Sequence, residues 1–119
     1  MSLHPQYALP PFLTADKAEL TLDGHNLARL AQDHGTPLFV FSGRRLTHNA
    51  RAMLAAAKAG HARARVFFAS KACSNLHIIK MFRDEGLNIE VNSGGEMWKA
   101  FSAGYRPDEI VFNGVAKSV

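Results

Sequence analysis

Cysteine is almost missing from this chain. Cys73 stands alone among 119 residues, so no disulfide can close within the chain and no cysteine-built zinc cluster can form. A reducing cytoplasm is the simplest expected location. No apolar run is long enough to span a bilayer, so no membrane partner is expected. The segment from Met1 to Lys17 carries Pro5, Pro10 and Pro11 and lacks a basic start followed by an apolar core. It does not read as a signal peptide. Six histidines are present, His4, His25, His34, His48, His61 and His77. No pair has the spacing of a metal site, and no His-Glu-x-x-His occurs. Low-complexity tracts are also absent.

What is present fits one modest α/β domain. Hydrophobic residues make up 47% and charged residues 20% of the chain, a balance that fits a soluble globular protein rather than a disordered one. The net charge is +4 and the pI about 9.6. The basic residues Arg44, Arg45, Arg51, Lys58, Arg63 and Arg65 crowd one stretch. Most fall on the polar face of one expected helix, without aromatic platforms between them. That reads as a solvated helix face, and no nucleic-acid partner is expected.

Residues Met1 to Leu22 show no sustained period and read as irregular, with short extended pieces. A helix is expected over His25–His34, with Asp23 as its cap and Gly35 as its stop. Pro37–Phe41 reads as a compact apolar strand. Ser42 can cap a following helix, in which Leu46, Ala50, Met53, Leu54 and Ala57 recur at helical spacing until Gly60. Three strand–helix units then follow. Strands are expected over Val66–Ser70, Asn88–Asn92 and Ile110–Asn113, and helices over Asn75–Arg83 and Glu96–Ala103. Gly86 and Gly104 stop those helices. Strands recurring about every 22 residues with helices between them are the pattern of a parallel sheet built from right-handed crossovers.

Several residues in this pattern can carry chemistry. Lys71 closes the strand Arg65–Ala72, where a strand's carboxyl end opens into a loop. In β/α barrels that rim carries the active site, and a desolvated lysine is a usual partner for an aldehyde. In the second strand, Ile89 and Val91 face one way and Glu90 and Asn92 the other. Polar residues on one face of a parallel strand suit a barrel lumen, or equally an edge strand with Glu90 in water. Ser93-Gly94-Gly95-Glu96 has the spacing of a capping box, and its glycines let backbone N–H groups approach an anion or another segment. Cys73 reads as a small packing residue, His77 as a surface histidine, and Trp98 and Phe101 as helix-to-barrel packing.

Taken in order, the motifs form a set. Gly35-Thr36-Pro37-Leu38-Phe39-Val40-Phe41 precedes a long helix. Phe68-Ala69-Ser70-Lys71-Ala72-Cys73-Ser74-Asn75, Asn92-Ser93-Gly94-Gly95-Glu96 and Ile110-Val111-Phe112-Asn113-Gly114-Val115-Ala116-Lys117-Ser118 follow. Over Asn26 to Ser118 this resembles the N-terminal portion of the fold-type III pyridoxal-phosphate decarboxylases, which act on diaminopimelate, ornithine, lysine or arginine. The Ser-Gly-Gly-Glu loop is most similar to the diaminopimelate branch.

The resemblance implies an incomplete β/α (TIM-like) barrel with about three barrel strands, preceded by an N-terminal helix and strand. Residues 1–42 would lead into it and residues 43–119 would form its N-terminal part, with pyridoxal 5'-phosphate as cofactor. It implies that Lys71 holds the cofactor as an internal aldimine and that Glu90 stands where an acidic residue, usually aspartate, lies near it. Glu96 would be the acidic residue that closes the Gly-Gly loop. Cys73 stands where asparagine is common. The implied activity is loss of the α-carboxylate of an amino acid, in lysine biosynthesis for the diaminopimelate branch. A homodimer is implied once the barrel is complete.

An eight-fold barrel takes about 250 residues. The chain is therefore expected to be a truncated product or part of a split or larger enzyme, inactive alone and prone to associate. Two further readings keep part of this pattern. One changes the substrate to ornithine, lysine, arginine or an amino acid of siderophore synthesis. The other makes the chain a non-catalytic fragment or small phosphate-binding β/α module, binding at Gly94-Gly95 or pairing with a complementary chain.

Overall fold

The computed structural model describes residues 12–16, 19–115 and 117, and divides the chain into two compact units, Met1–Leu46 and Thr47–Val119. The first unit contains an antiparallel sheet in the order β1 (Leu13–Asp16), β2 (Glu19–Leu22), β3 (His25–Asn26), followed by α1 (Leu27–His34). Part of the stretch expected to be irregular is therefore a meander. Its second turn is a two-residue loop, with Leu22 paired to His25. Asp23 and Gly24 both have positive φ, +52° and +82°, as a tight hairpin of this length demands.

That turn displaces the expected helix start. Asp23 does not cap α1. The cap is Asn26, whose side chain accepts from the Arg29 N–H at 3.0 Å. Asp23 instead accepts a short hydrogen bond from the Ser42 hydroxyl. The strand expected at Pro37–Phe41 does not form. Among the described residues no strand pairs with this segment, Pro37 offers no N–H, and Phe39 is 87% exposed. The helix α2 (Gly43–Gly60) starts as expected, with the Ser42 hydroxyl accepting from the Arg45 N–H at 2.9 Å.

The second unit holds a parallel sheet in the order β4 (Phe67–Ala69), β5 (Asn88–Val91), β6 (Ile110–Phe112). Helix α3 (Leu76–Asp84) joins the first two strands and α4 (Gly94–Ser102) the last two. The α/β alternation expected from the sequence is present, with every boundary within two residues of its expected place and the starts of β5 and β6 unchanged.

Ile89 and Val91 have no exposure and pack with Ile79, Ala100, Ala103 and Tyr105. Burying each such aliphatic side chain contributes about 1.5–3 kcal/mol. Phe68, in register with Ile89, meets Phe82 of α3 with ring centroids 4.5 Å apart. The opposite face carries Ala69, Glu90 and Val111 in register. Burial pushes the Tyr105 phenol well above its ordinary pKa, and its hydroxyl donates to the Ile79 carbonyl at 3.4 Å.

Trp98 and Phe101 correct an expectation. They are 66% and 48% exposed and do not form the helix packing. The inner face of α4 is taken by Met97 and Ala100, three residues apart. Trp98 and Phe101 each sit one position further round the helix, on the outer side. Among the described residues, no helix is long and apolar enough to cross a membrane, and no cluster of His, Cys, Asp or Glu could hold a metal ion.

Candidate functional site

The carboxyl-terminal edge of the parallel sheet collects the polar residues singled out by sequence. After β4 the backbone makes one helical turn, Ser70–Ala72, which places Lys71 directly at the strand's end. Ser70 beneath it is fully buried. Asn75 then starts α3, its side chain accepting from the N–H groups of His77 and Ile78 at 3.0 and 3.2 Å. The Lys71 side chain is exposed, Cys73 half-buried and His77 exposed.

The next strand ends in the capped helix start. The Ser93 hydroxyl accepts from the Glu96 N–H at 3.2 Å. The Glu96 carboxylate returns to the Asn92 N–H at 2.6 Å, one residue before the usual position in a capping box. Its visible work is thus the helix start. Glu90 lies on the face away from the helices and accepts from the Asn92 side-chain amide at 3.0 Å. Its other oxygen is buried without a hydrogen-bond partner among the described residues, as is the Ser70 hydroxyl.

Lys71, Ser74, Asn92, Ser93 and Glu96 line one cleft of about 640 Å³. Glu90 is not among its lining residues. The cleft also admits two residues that sequence reasoning did not assign to a site, Lys99 and Trp98. The Lys99 ammonium donates to both the carbonyl and the hydroxyl of Ser74, each at 3.0 Å. No local motif marks Lys99, because its partner lies 25 residues away.

Gly114 completes this edge beside β6. A Cβ there would lie 2.2 Å from the Asn92 carbonyl oxygen and 2.5 Å from the Phe112 ring. Only glycine admits so close an approach of the two strand ends. The sequence motif contains Gly114, yet the partner it approaches is visible only in three dimensions.

Residues 46–119 match the family model described as pyridoxal-dependent decarboxylase, pyridoxal binding domain. The chain is 35% identical over 105 residues to a diaminopimelate decarboxylase of Methanothermobacter thermautotrophicus, covering 88% of this chain and 24% of that protein. It is 40% identical over 89 residues to one of Streptomyces coelicolor, covering 71% of this chain and 18% of that one.

Among solved structures, a protein of Aquifex aeolicus superposes with a TM-score of 0.79 at 34% identity, over 91% of this chain and 26% of that one. A diaminopimelate decarboxylase of M. jannaschii in complex with L-lysine gives 0.79 at 27% identity, over 91% and 26% of the two chains. The chain thus spans about a quarter of the length of most of these relatives. Its family is nonetheless set by the larger part of its own length: it belongs to the pyridoxal-dependent decarboxylases, through their pyridoxal-binding domain.

Proposed function

We propose that this chain is the N-terminal part of a pyridoxal-phosphate-dependent decarboxylase acting on diaminopimelate, with Lys71 as the residue that holds the cofactor. In this reading residues 43–119 are the first three strand–helix units of a β/α barrel and residues 1–42 lead into it. One observation carries the reading: Lys71 ends a parallel strand and shares a single cleft with the Ser93–Glu96 loop of the next unit. That is the rim where β/α folds do their chemistry.

The residues present fit pyridoxal phosphate. Its aldehyde needs an accessible primary amine, and Lys71 offers one next to Ser70, whose buried hydroxyl has no hydrogen-bond partner among the described residues. The unpaired Glu90 oxygen is an acceptor with no protein donor among the described residues, suited to a polar group of the cofactor. Lys71 would bind the cofactor covalently, and Glu90 would orient it from the sheet face opposite the helices. Glu96 would act at one remove, holding the Asn92–Ser93 backbone in place. When bound, the cofactor supplies the electron sink for loss of an α-carboxylate.

Diaminopimelate is favoured as substrate because the relatives described above bear that activity in their names. A completed enzyme is expected to work as a cytoplasmic homodimer, a setting that suits a chain with the lone Cys73.

Borohydride reduction in the presence of pyridoxal phosphate, followed by peptide mapping, tests the assignment. The pyridoxyl group is expected on Lys71 and absent after Lys71→Ala. Label on another lysine instead would overturn it. With the remaining barrel strands supplied, carbon dioxide release should be greatest from diaminopimelate among diaminopimelate, ornithine, lysine and arginine.

A further inference from the structure

We infer that Lys99 is a positioning residue for Lys71, acting through the connection that leads from the end of β4 into α3. That connection runs from Ser70 to Asn75, and regular structure stops after Ala72. It is fixed at three points. Ser70 is fully buried at one end. Asn75 is tied at the other end by its two accepted hydrogen bonds from the first turn of α3. Between them, Lys99 of α4 reaches across and donates to the carbonyl and the hydroxyl of Ser74 at 3.0 Å each.

A lysine on a helix face commonly extends into water. This one is half-buried and spends two of its three donors on a single residue. Hydrogen bonds from an ionised donor are stronger than neutral ones. Ser74 lies three residues after Lys71, and Lys71, Ser74 and Lys99 line the same cleft. Lys71 itself is exposed, so its placement depends on the backbone that bears it. Lys99 joins that backbone to the helix whose capped start forms the other wall of the cleft.

The functional part of this inference rests on reading Lys71 as the cofactor lysine, and its test keeps the two apart. The full chain and its Lys99→Met, Lys99→Arg and Ser74→Ala variants are compared by hydrogen exchange without cofactor. They are then compared by borohydride labelling with pyridoxal phosphate, scored as label on Lys71 relative to the exposed Lys58. Lys99→Met should raise exchange over residues 72–75 at least about tenfold and lower the Lys71-to-Lys58 ratio at least about fivefold. Lys99→Arg, which keeps a cationic donor, should restore the ratio to within about twofold. Ser74→Ala, which removes one of two acceptors, should give an intermediate fall and serves if Lys99→Met does not fold. An unchanged ratio and unchanged exchange in Lys99→Met, or in Ser74→Ala where that variant stands in, would overturn the inference. Equal loss in Lys99→Arg and Lys99→Met would do the same. If the unaltered chain takes no label at Lys71, the cofactor reading fails and the exchange result alone decides whether Lys99 fixes the connection.

Discussion

The two ends of the parallel sheet are built on opposite plans. At the amino-terminal end, Arg65 donates to the Asn88 side chain at 2.7 Å and to the Asp108 carbonyl, linking the starts of all three strands. Its guanidinium also lies 5.1 Å from the centre of the Phe67 ring. Arg106 pairs with Asp108 and Glu109 in the turn before β6, and the hydrogen bond from Arg106 holds the Asp108 carboxyl below its ordinary pKa. The polar groups of this end are spent on one another.

At the carboxyl-terminal end, Ser70 and Glu90 each keep a buried oxygen without a hydrogen-bond partner among the described residues, and Lys71 and Trp98 are exposed. Buried polar atoms are nearly always satisfied, and each exception costs about 1–3 kcal/mol. A fold that closes one end and leaves buried polar atoms unsatisfied at the other separates the groups that brace it from those left available. That division is expected where catalysis occupies the carboxyl-terminal rim.

The sharpest way to break this contrast is at the tightest point of the open end. Gly114→Ala would drive a methyl group into the Asn92 carbonyl at 2.2 Å. Overpacking against backbone should cost about 1–3 kcal/mol in urea unfolding, with loss of pyridoxyl labelling at Lys71. A variant as stable as the original would show that this approach of strand ends is not needed.

A second change asks whether the unsatisfied oxygen is a cost carried for function. Glu90→Met keeps length and removes the carboxylate, one of whose oxygens has no hydrogen-bond partner among the described residues while the other accepts from Asn92. It should raise the stability of the chain without cofactor by about 1 kcal/mol while reducing labelling at Lys71 severalfold. Stability that falls instead would mean that Glu90 serves the fold.

The smallest effect is expected at the closed end. Arg65→Ala removes two exposed hydrogen bonds and should cost about 1 kcal/mol, with the label on Lys71 unchanged. Labelling that declines together with stability would show the two ends to be coupled.

Much of this was legible one segment at a time. Ser42 and Ser93 cap helices through bonds to residues three positions on, and such spacing is written directly in sequence; Asn75, expected as the first residue of its helix, is that helix's cap instead. Strand parity likewise placed Ile89 and Val91 on the helix side and Glu90 on the other. The turn at Asp23-Gly24 was equally local, yet an aspartate just before a helical pattern imitates a cap, and the tight hairpin between β2 and β3 was missed for that reason.

By itself, then, the sequence determined the strand–helix alternation over residues 66–113, the caps at Ser42 and Ser93, and the position of Lys71 at a strand's end. Those depend on periodicity and on contacts within one turn of the chain. Only the tertiary structure decided that Lys99 reaches Ser74, that Arg65 links three strand starts, that Gly114 meets Asn92, and that Trp98 faces outward. Each of these is set by which face of one element meets another across more than twenty residues of chain, or by which face meets nothing. Local propensity carries no record of that choice, because packing free energy is gained only when the elements come together.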